Sequence, residues 1–447
     1  MHRVLDRLRA MFDLRSGESA PTLWAALAFF AILASYFVLK PVRDALVLEG
    51  DPDFLPWLFT STFVVMTLIS APWGALVARL PRHRLVPFAF RACMAQLLVF
   101  VGLFAWNGAP VVVGKVFYVW LSVFNLFVVS VFWSLCADLA RPEQGQRLFG
   151  PIATGGSAGT IAGTLVTRDL VHLPPWVLLL IACALLEAAV WAMARVERHG
   201  RRLREAAAEA HVHVPAAAPP AADDRRGRAV GGHPLSGLSH LRSPYLAGIA
   251  AYVLCTAYLA TFIYLEQSHI AKAALPDSIA RRRFFADVEL YTGLITIGLQ
   301  AFATSRLLRW FGAGVVLAVL PILQGAGLAL LTAVPTLAMA TVVSSIGRAA
   351  THSLARPSRE LLYTAIDRED RFKAKNVIDT LVYRLGDTSS SWLSWLLAYL
   401  GVAVTAVGVP LAGAWVGLAW LLGANHRRRT TAPAAQPGSP EPAPAAP

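Results

Sequence analysis

Lys40, Arg43 and Asp44 stand at positions i, i+3 and i+4 of the stretch SYFVLKPVRDAL, Ser35 to Leu46, which closes an apolar run, Leu23 to Leu39, that has no charge. In a helix this spacing puts the three side chains on one face, and Pro41 can bend the backbone between them. A charge near the centre of a membrane helix costs about 2.5 to 3.5 kcal/mol on insertion scales, so a chain that places three there pairs them or uses them. Two chemistries are open. The cations can bind an anionic ligand with Asp44 as counter-ion, or Arg43 and Asp44 can lock this helix to a neighbour while the charges snorkel to the interface.

A denser group follows later in the chain: Arg348, Arg356, Arg359 and Glu360, then Asp367 to Lys375, then Asp379, Arg384 and Asp387. Arg384 and Asp387 are i, i+3 neighbours in an apolar segment that also offers Tyr383, Ser389, Ser390 and Ser391. An unpaired arginine there is costly, so an ion pair is expected. Guanidinium groups suit phosphate and carboxylate, which makes Arg348 and Arg384, with Lys40 and Arg43, the candidate substrate-binding residues. Asp44, Glu266, Arg356, Arg359, Glu360, Asp379 and Asp387 are candidates for coupling or gating, those from Arg356 to Lys375 as salt bridges at the cytoplasmic edge. The expected pairs are Asp44 with Arg348 or Arg384, and Arg43 with Asp387. Glu266, Asp287 and Glu289 are read either as pairing sites or, the favoured reading, as solvated at the membrane edge, with Pro276 to Arg283 a short amphipathic helix on the outer surface.

The elements that position these groups are membrane helices. The 447 residues are 56% hydrophobic and 15% charged, with a mean hydropathy of +0.55, a composition that marks a polytopic membrane protein. Apolar stretches long enough to span occur at about 22–45, 54–79, 85–106, 111–138, 148–170, 174–195, 245–268, 285–307, 312–333, 336–355, 377–400 and 402–424,. The first is too long for the apolar part of a signal peptide and is kept as a spanning helix. Expected domains are a cytoplasmic segment 1–21, a six-helix bundle 22–196, a flexible linker 197–243 rich in Ala, Pro, Arg and Gly, a second six-helix bundle 244–424, and a disordered Pro/Ala-rich tail 425–447,. Most Lys and Arg fall on the side shared by both termini and the linker, which the positive-inside rule makes cytoplasmic,. The net charge of +13 is therefore read as membrane topology and not as nucleic-acid binding,.

Leu139-Ala140-Arg141-Pro142 after the fourth span recurs as Leu354-Ala355-Arg356-Pro357 after the tenth, as an internal duplication of six helices would produce,. Gly155, Gly159 and Gly163 in ATGGSAGTIAG form a doubled small-xxx-small pattern that points to close helix crossing,. With no lysine-serine ending and no preceding strand, this run is not a phosphate loop. Cys93, Cys136, Cys183 and Cys255 lie in apolar segments without CxxC spacing and are read as buried thiols,. No Ser, His and Asp triad and no metal-ligand cluster stands out. An enzyme, a cofactor and a metal site are not expected.

YFVLKPVRDAL in helix one, FNLFVVSVFW in helix four, RLFGPIATGGSAGTIAG in helix five and ARPSRELLYTAIDREDRFKAKNVIDTLVYRLGD across helices ten and eleven resemble bacterial relatives of the ATP/ADP antiporter family, nucleotide exchangers related to the major-facilitator fold. Gly74 followed by Arg79, Arg82 and Arg84 partly matches a major-facilitator loop. The resemblance implies an all-α membrane protein of twelve helices in two bundles of six that rock about a central site on helices one, four, seven, ten and eleven. It implies an inner-membrane secondary transporter, monomeric among membrane lipids, exchanging a nucleotide or another anionic metabolite. The exchangers carry a lysine near the start of helix two and a glutamate in helix four; the counterparts here, Pro56 to Ser61 and Trp120 to Val123, hold no charge. Proton-coupled movement of a different metabolite, and a non-transporting scaffold, are the alternatives.

Overall fold

The computed structural model describes residues 19–79, 82–107, 111–139, 142–211, 242–366, 374–375 and 377–431. Twelve helical elements follow one another: α1 (Ser19–Val47), α2 (Leu55–Arg79), α3 (Arg82–Asn107), α4 (Val111–Leu139), α5 (Pro142–Asp169), α6 (Pro175–His211), α7 (Pro244–Ala274), α8 (Ser278–Phe302), α9 (Thr304–Ala333), α10 (Leu337–Ala350, continued by Thr351–Ala355 and Arg356–Tyr363), α11 (Val377–Val382 and Tyr383–Tyr399) and α12 (Thr405–Thr431). Side-chain caps open two of them. The Asp277 side chain accepts the Ala280 N–H at 3.2 Å to open α8, and Thr336 Oγ1 accepts the Met339 N–H at 3.2 Å to open α10,. Gly401, at φ +69, turns the chain from α11 toward α12, where an L side chain would be strained,.

Helices α1 to α6 form one bundle and α7 to α12 the other. The first core is built on Phe29, Phe90, Phe117, Leu121 and Phe132, with Phe29 stacked on Phe132 at 4.7 Å between ring centroids. Tyr252, Leu317, Tyr363 and Trp415 centre the second. Between bundles, α5 packs on α8, α2 on α11, and α1 on α8. Among the described residues seven helices, α1, α3, α4, α6, α7, α9 and α12, are each long and apolar enough to cross a membrane. The other five include both members of the α5–α8 and α2–α11 contacts, together with α10.

The contact of α5 with α1 is backbone on backbone. A Cβ at Gly155, Gly159 or Gly163 would run into the carbonyls of Ala26, Phe30 and Ala34 respectively, three successive rungs of α1. Only glycine lets the helices come this close. Thr167 Oγ1 then donates to the Val38 carbonyl at 2.8 Å, and Ser35 Oγ to the Ala182 carbonyl at 3.0 Å, so α1 is gripped along its length by α5 and α6.

Three expectations about extent need correction. α6 runs on to His211, so the first part of the segment expected as linker is helical; the rest of it, residues 212–241, lies outside the described residues. α12 likewise continues to Thr431, past the expected start of the tail. There is no separate surface helix at Pro276 to Arg283: Ser278 opens α8 itself, and Arg281 and Arg282 are 6% and 5% exposed. These two arginines are buried because backbone carbonyls receive them. Arg281 donates to the carbonyls of Leu275 (2.6 Å), Pro276 (2.6 Å) and Leu48 (2.9 Å), and Arg282 to that of Leu173 (2.8 Å). Leu48 and Leu275 follow the last turns of α1 and α7, where unpaired carbonyls and the helix dipole favour a cation.

Candidate functional site

Glu289 lies on α8 and Arg348 on α10, both about 16 Å from the helix starts at Ser278 and Leu337, near the middle of a roughly 30 Å hydrocarbon layer. Lys40, from α1 in the other bundle, reaches the same depth. One oxygen of Glu289, Oε1, is ion-paired to both Lys40 Nζ and Arg348 Nη1. Arg348 also donates to Gln267 Oε1 at 3.3 Å, and Ser344 Oγ donates to that oxygen at 2.6 Å. Gln267 is fully buried, and its amide nitrogen has no acceptor among the described residues.

A second carboxylate lies beside the first. Asp44 is 1% exposed and is held by Arg43 (Nη2 to Oδ1, 2.6 Å), by Lys40 at 3.5 Å and by the Tyr264 hydroxyl at 3.2 Å. Arg43 lies over the Tyr118 ring at 4.5 Å and donates to Ser122 Oγ at 3.2 Å. Its guanidinium is thus surrounded by acceptors and an aromatic face, the arrangement that makes a buried arginine tolerable. On α11, Arg384 pairs with Asp387 at 3.2 Å, and Thr261 Oγ1 lies 3.4 Å from the same carboxylate. Lys40 links the Asp44 and Glu289 groups directly.

The expected pairs of Asp44 with Arg348 or Arg384, and of Arg43 with Asp387, do not form. Each carboxylate instead takes cations one position or one turn away on its own helix, which costs less side-chain ordering. Arg348 is taken by Glu289, a residue expected to be solvated. It is 5% exposed because α8 starts at Ser278 and carries it to mid-depth. Lys40 and Arg43 point into the protein and not toward lipid headgroups.

Toward the end of the bundles that carries the linker, α10 widens into a π-turn over Thr351–Ala355, with the Arg356 N–H bonded to the Thr351 carbonyl five residues back. The wider turn keeps Arg348, His352 and Arg356, spaced by four, in one row. His352 and Arg356 have exposed side chains, and the charges that bear on His352 are Arg356, Arg348 and Lys40. At the linker side Arg359 pairs with Asp379 at 2.9 Å and Lys375 with Glu360 at 2.7 Å. Both pairs join α10 to the α11 end of the same bundle. Glu266 stands apart from the cluster, half-buried, with His269 as its titratable neighbour.

The opposite, far side is shut by contacts that do cross between bundles. Ala45 and Leu48 join Phe262, Ile270, Phe285 and Val288 in one apolar cluster, and Val47, Leu55, Leu58 and Tyr118 join Leu265 in another. Trp57 meets Trp392 edge-on at 5.0 Å, Trp392 Nε1 donates to Thr60 Oγ1 at 2.9 Å, and Arg168 pairs with Asp287 at 2.7 Å. Lys272 donates to the carbonyls of Leu48 and Gly50, beside the Arg281 and Arg282 bonds. Both large cores belong to a single bundle each, and the mixed clusters lie on this side.

Glu289, Gln267, Tyr264 and His352 are site residues that the sequence did not single out for this place. The signal for His352 is its spacing of four from Arg348. For Glu289 it is the alternation of Asp287 and Glu289 with apolar residues on a helix long enough to span. The described residues hold no group of three side chains suited to a metal ion.

No family model matches the chain. It is 22% identical over 93% of its length to ADP,ATP carrier protein 1 of Chlamydia trachomatis, of which 89% is covered, with the same identity and coverage for ADP,ATP carrier protein 1 of Chlamydia muridarum. Among solved structures, a point mutant of the nucleoside transporter NupG matches 92% of this chain and 99% of its own at a TM-score of 0.60 and 11% identity. A bacterial homolog of the human lysosomal transporter Spinster, in an inward-facing and unoccupied conformation, matches 93% and 98% at 0.54 and 12%. The fold is the twelve-helix, two-bundle arrangement of these solved transporters, with helices long and apolar enough for a multi-pass membrane protein.

Proposed function

We propose that this relative of the ADP,ATP carrier proteins is a secondary transporter that moves a nucleotide, or another phosphorylated anion, by alternating access of its two bundles. The observation that carries the reading is the meeting of Lys40 from one bundle and Arg348 from the other on a single carboxylate oxygen at mid-depth. Arg43 and Arg384 stand beside them, and Arg356 lies on the linker-side approach. A phosphate group carries about two negative charges at neutral pH and accepts on three oxygens, so it suits convergent guanidinium and ammonium groups. Lysine and arginine are distributed so that the linker side faces the cytoplasm,; the closed far side is then the outer gate and the conformation is open inward. Arg356, Arg359, Glu360 and Asp379 would act at the inner gate, Asp44 and Asp387 in coupling. The protein is proposed to work as a monomer in the inner membrane.

The test is uptake of radiolabelled ATP, ADP and phosphate by proteoliposomes counter-loaded with the same compounds. Uptake that depends on the counter-load supports exchange, and no uptake of any of the three rejects the nucleotide and phosphate reading. A second reading, proton-coupled transport of a different metabolite, draws on Asp387, buried at 6% exposure between Arg384 and Thr261. A pH gradient that drives uptake and fails with Asp387→Asn would favour it.

A further inference from the structure

We propose that Glu289 is a built-in substitute for the cargo's anionic group, allowing the unloaded carrier to close its far gate and return empty. The inference rests on the anion-transport reading for its cargo, and on geometry alone for its conformational part.

Lys40 belongs to the bundle of α1 to α6, whereas Glu289 and Arg348 belong to the other. The carboxylate therefore arrives with one cation on its own bundle and recruits the second from across the interface, on the same oxygen. An anionic cargo held between the bundles must do the same thing: contact a cation on each side and neutralise both. Without such an anion, Lys40 and Arg348 would face each other across the closing interface as like charges in a desolvated site. Lys40 would keep only Asp44, at 3.5 Å and already paired to Arg43, while Arg348 would keep only the neutral Gln267. A carrier lacking Glu289 thus closes only when loaded, which is the condition for obligatory exchange. With Glu289 in place the unloaded carrier meets the same charge requirement, so transport need not wait for return cargo. On loading, the cargo's oxygens displace Glu289, whose carboxylate would turn toward the buried and acceptor-free amide of Gln267.

The experiment uses the full chain in lipid nanodiscs, its four native cysteines replaced by alanine, with spin labels at the exposed far-side positions Asp53 and Pro335, one on each bundle. Unloaded protein with Glu289 intact should give one short far-side distance. In unloaded Glu289→Gln the long-distance, far-open fraction should rise about tenfold relative to the closed fraction; adding ATP, ADP or phosphate should restore the short distance. Glu289→Asp should remain closed, which separates loss of charge from loss of fold. An unloaded Glu289→Gln protein that is as closed as the parent overturns the proposal. In proteoliposomes the ratio of net efflux to exchange should fall about tenfold in Glu289→Gln for whichever probe is carried, and an unchanged ratio counts against it. If no probe is carried by either protein, the nucleotide and phosphate reading fails while the unloaded distance measurement still decides the role of Glu289.

Discussion

Lys40 and Arg348, from different bundles, are each bound to the same oxygen of Glu289, which makes that atom one of the joints between the two bundles at mid-depth. Asp44 sits on the other side of Lys40, so the ammonium is shared by two carboxylates from different bundles. A lysine in that position can be passed from one to the other as the bundles rock.

Replacing Lys40 or Arg348 by an uncharged residue of similar length, Lys40→Met or Arg348→Met, should raise the KM for the carried anion at least about tenfold, since a charge-assisted hydrogen bond is worth roughly 1.5 to 3 kcal/mol. Concentration dependence of uptake in proteoliposomes measures it. Equal KM values in parent and variants would remove both residues from the binding site.

Gly159→Ala should lower the Tm of the purified protein, because its Cβ would collide with the Phe30 carbonyl and the two helices must part, at about 1 to 3 kcal/mol for overpacking,. Gly102→Ala is the control. Nothing lies within 4 Å of its Cβ, so its Tm should not fall.

Arg281→Ala removes the carbonyl contact to Leu48 that crosses the far gate, together with the contacts to Leu275 and Pro276 that hold the guanidinium in place within its own bundle. The far-open fraction should increase about tenfold or more, as expected for losing charge-assisted hydrogen bonds. Arg281→Lys should recover only part of the closure, because an ammonium cannot present the guanidinium fork to three acceptors. The far-side spin-label pair reads both; full closure in Arg281→Ala would contradict the assignment.

Glu49, in the turn after α1, has its carboxyl pushed above the usual range by burial, with Arg281, Arg282 and Lys272 acting in the opposite direction. A carboxyl whose folded-state value is raised costs stability once ionised. The cost is absent below the unfolded value and complete above the folded one, so stability rises as pH falls through that window. Tm measured from about pH 7 down to about pH 4 should therefore show a contribution that Glu49→Gln removes. Identical pH profiles for the two proteins would exclude it.

The twelve spans and the division into two bundles could be read from the sequence because membrane helices announce themselves by uninterrupted apolar length. Lys40, Arg43 and Asp44 were conspicuous for the same reason, as charges in an otherwise apolar run. Their partners were not, because pairing depends on the depth at which neighbouring helices start. Three consecutive arginines, Arg281 to Arg283, look like solvated surface, and placing α8 two turns later removes Glu289 from the centre. The carbonyls that bury Arg281 and Arg282 come from Leu48 and Leu173, in distant turns that carry no sequence mark of acting as acceptors. The spacing of four places Arg348 and His352 on one face, but the π-turn through which Arg356 continues the row has no residue pattern in this stretch to reveal it.

At the far gate the acceptors of Lys272, Arg281 and Arg282 are all main-chain carbonyls, those of Leu48, Gly50, Leu173, Leu275 and Pro276. Side-chain substitution cannot delete a carbonyl, so this part of the gate is genetically one-sided. Heritable change in these bonds must enter chiefly through three basic codons, while the carbonyls that receive them stay chemically constant whatever side chains, Glu49 among them, drift around them.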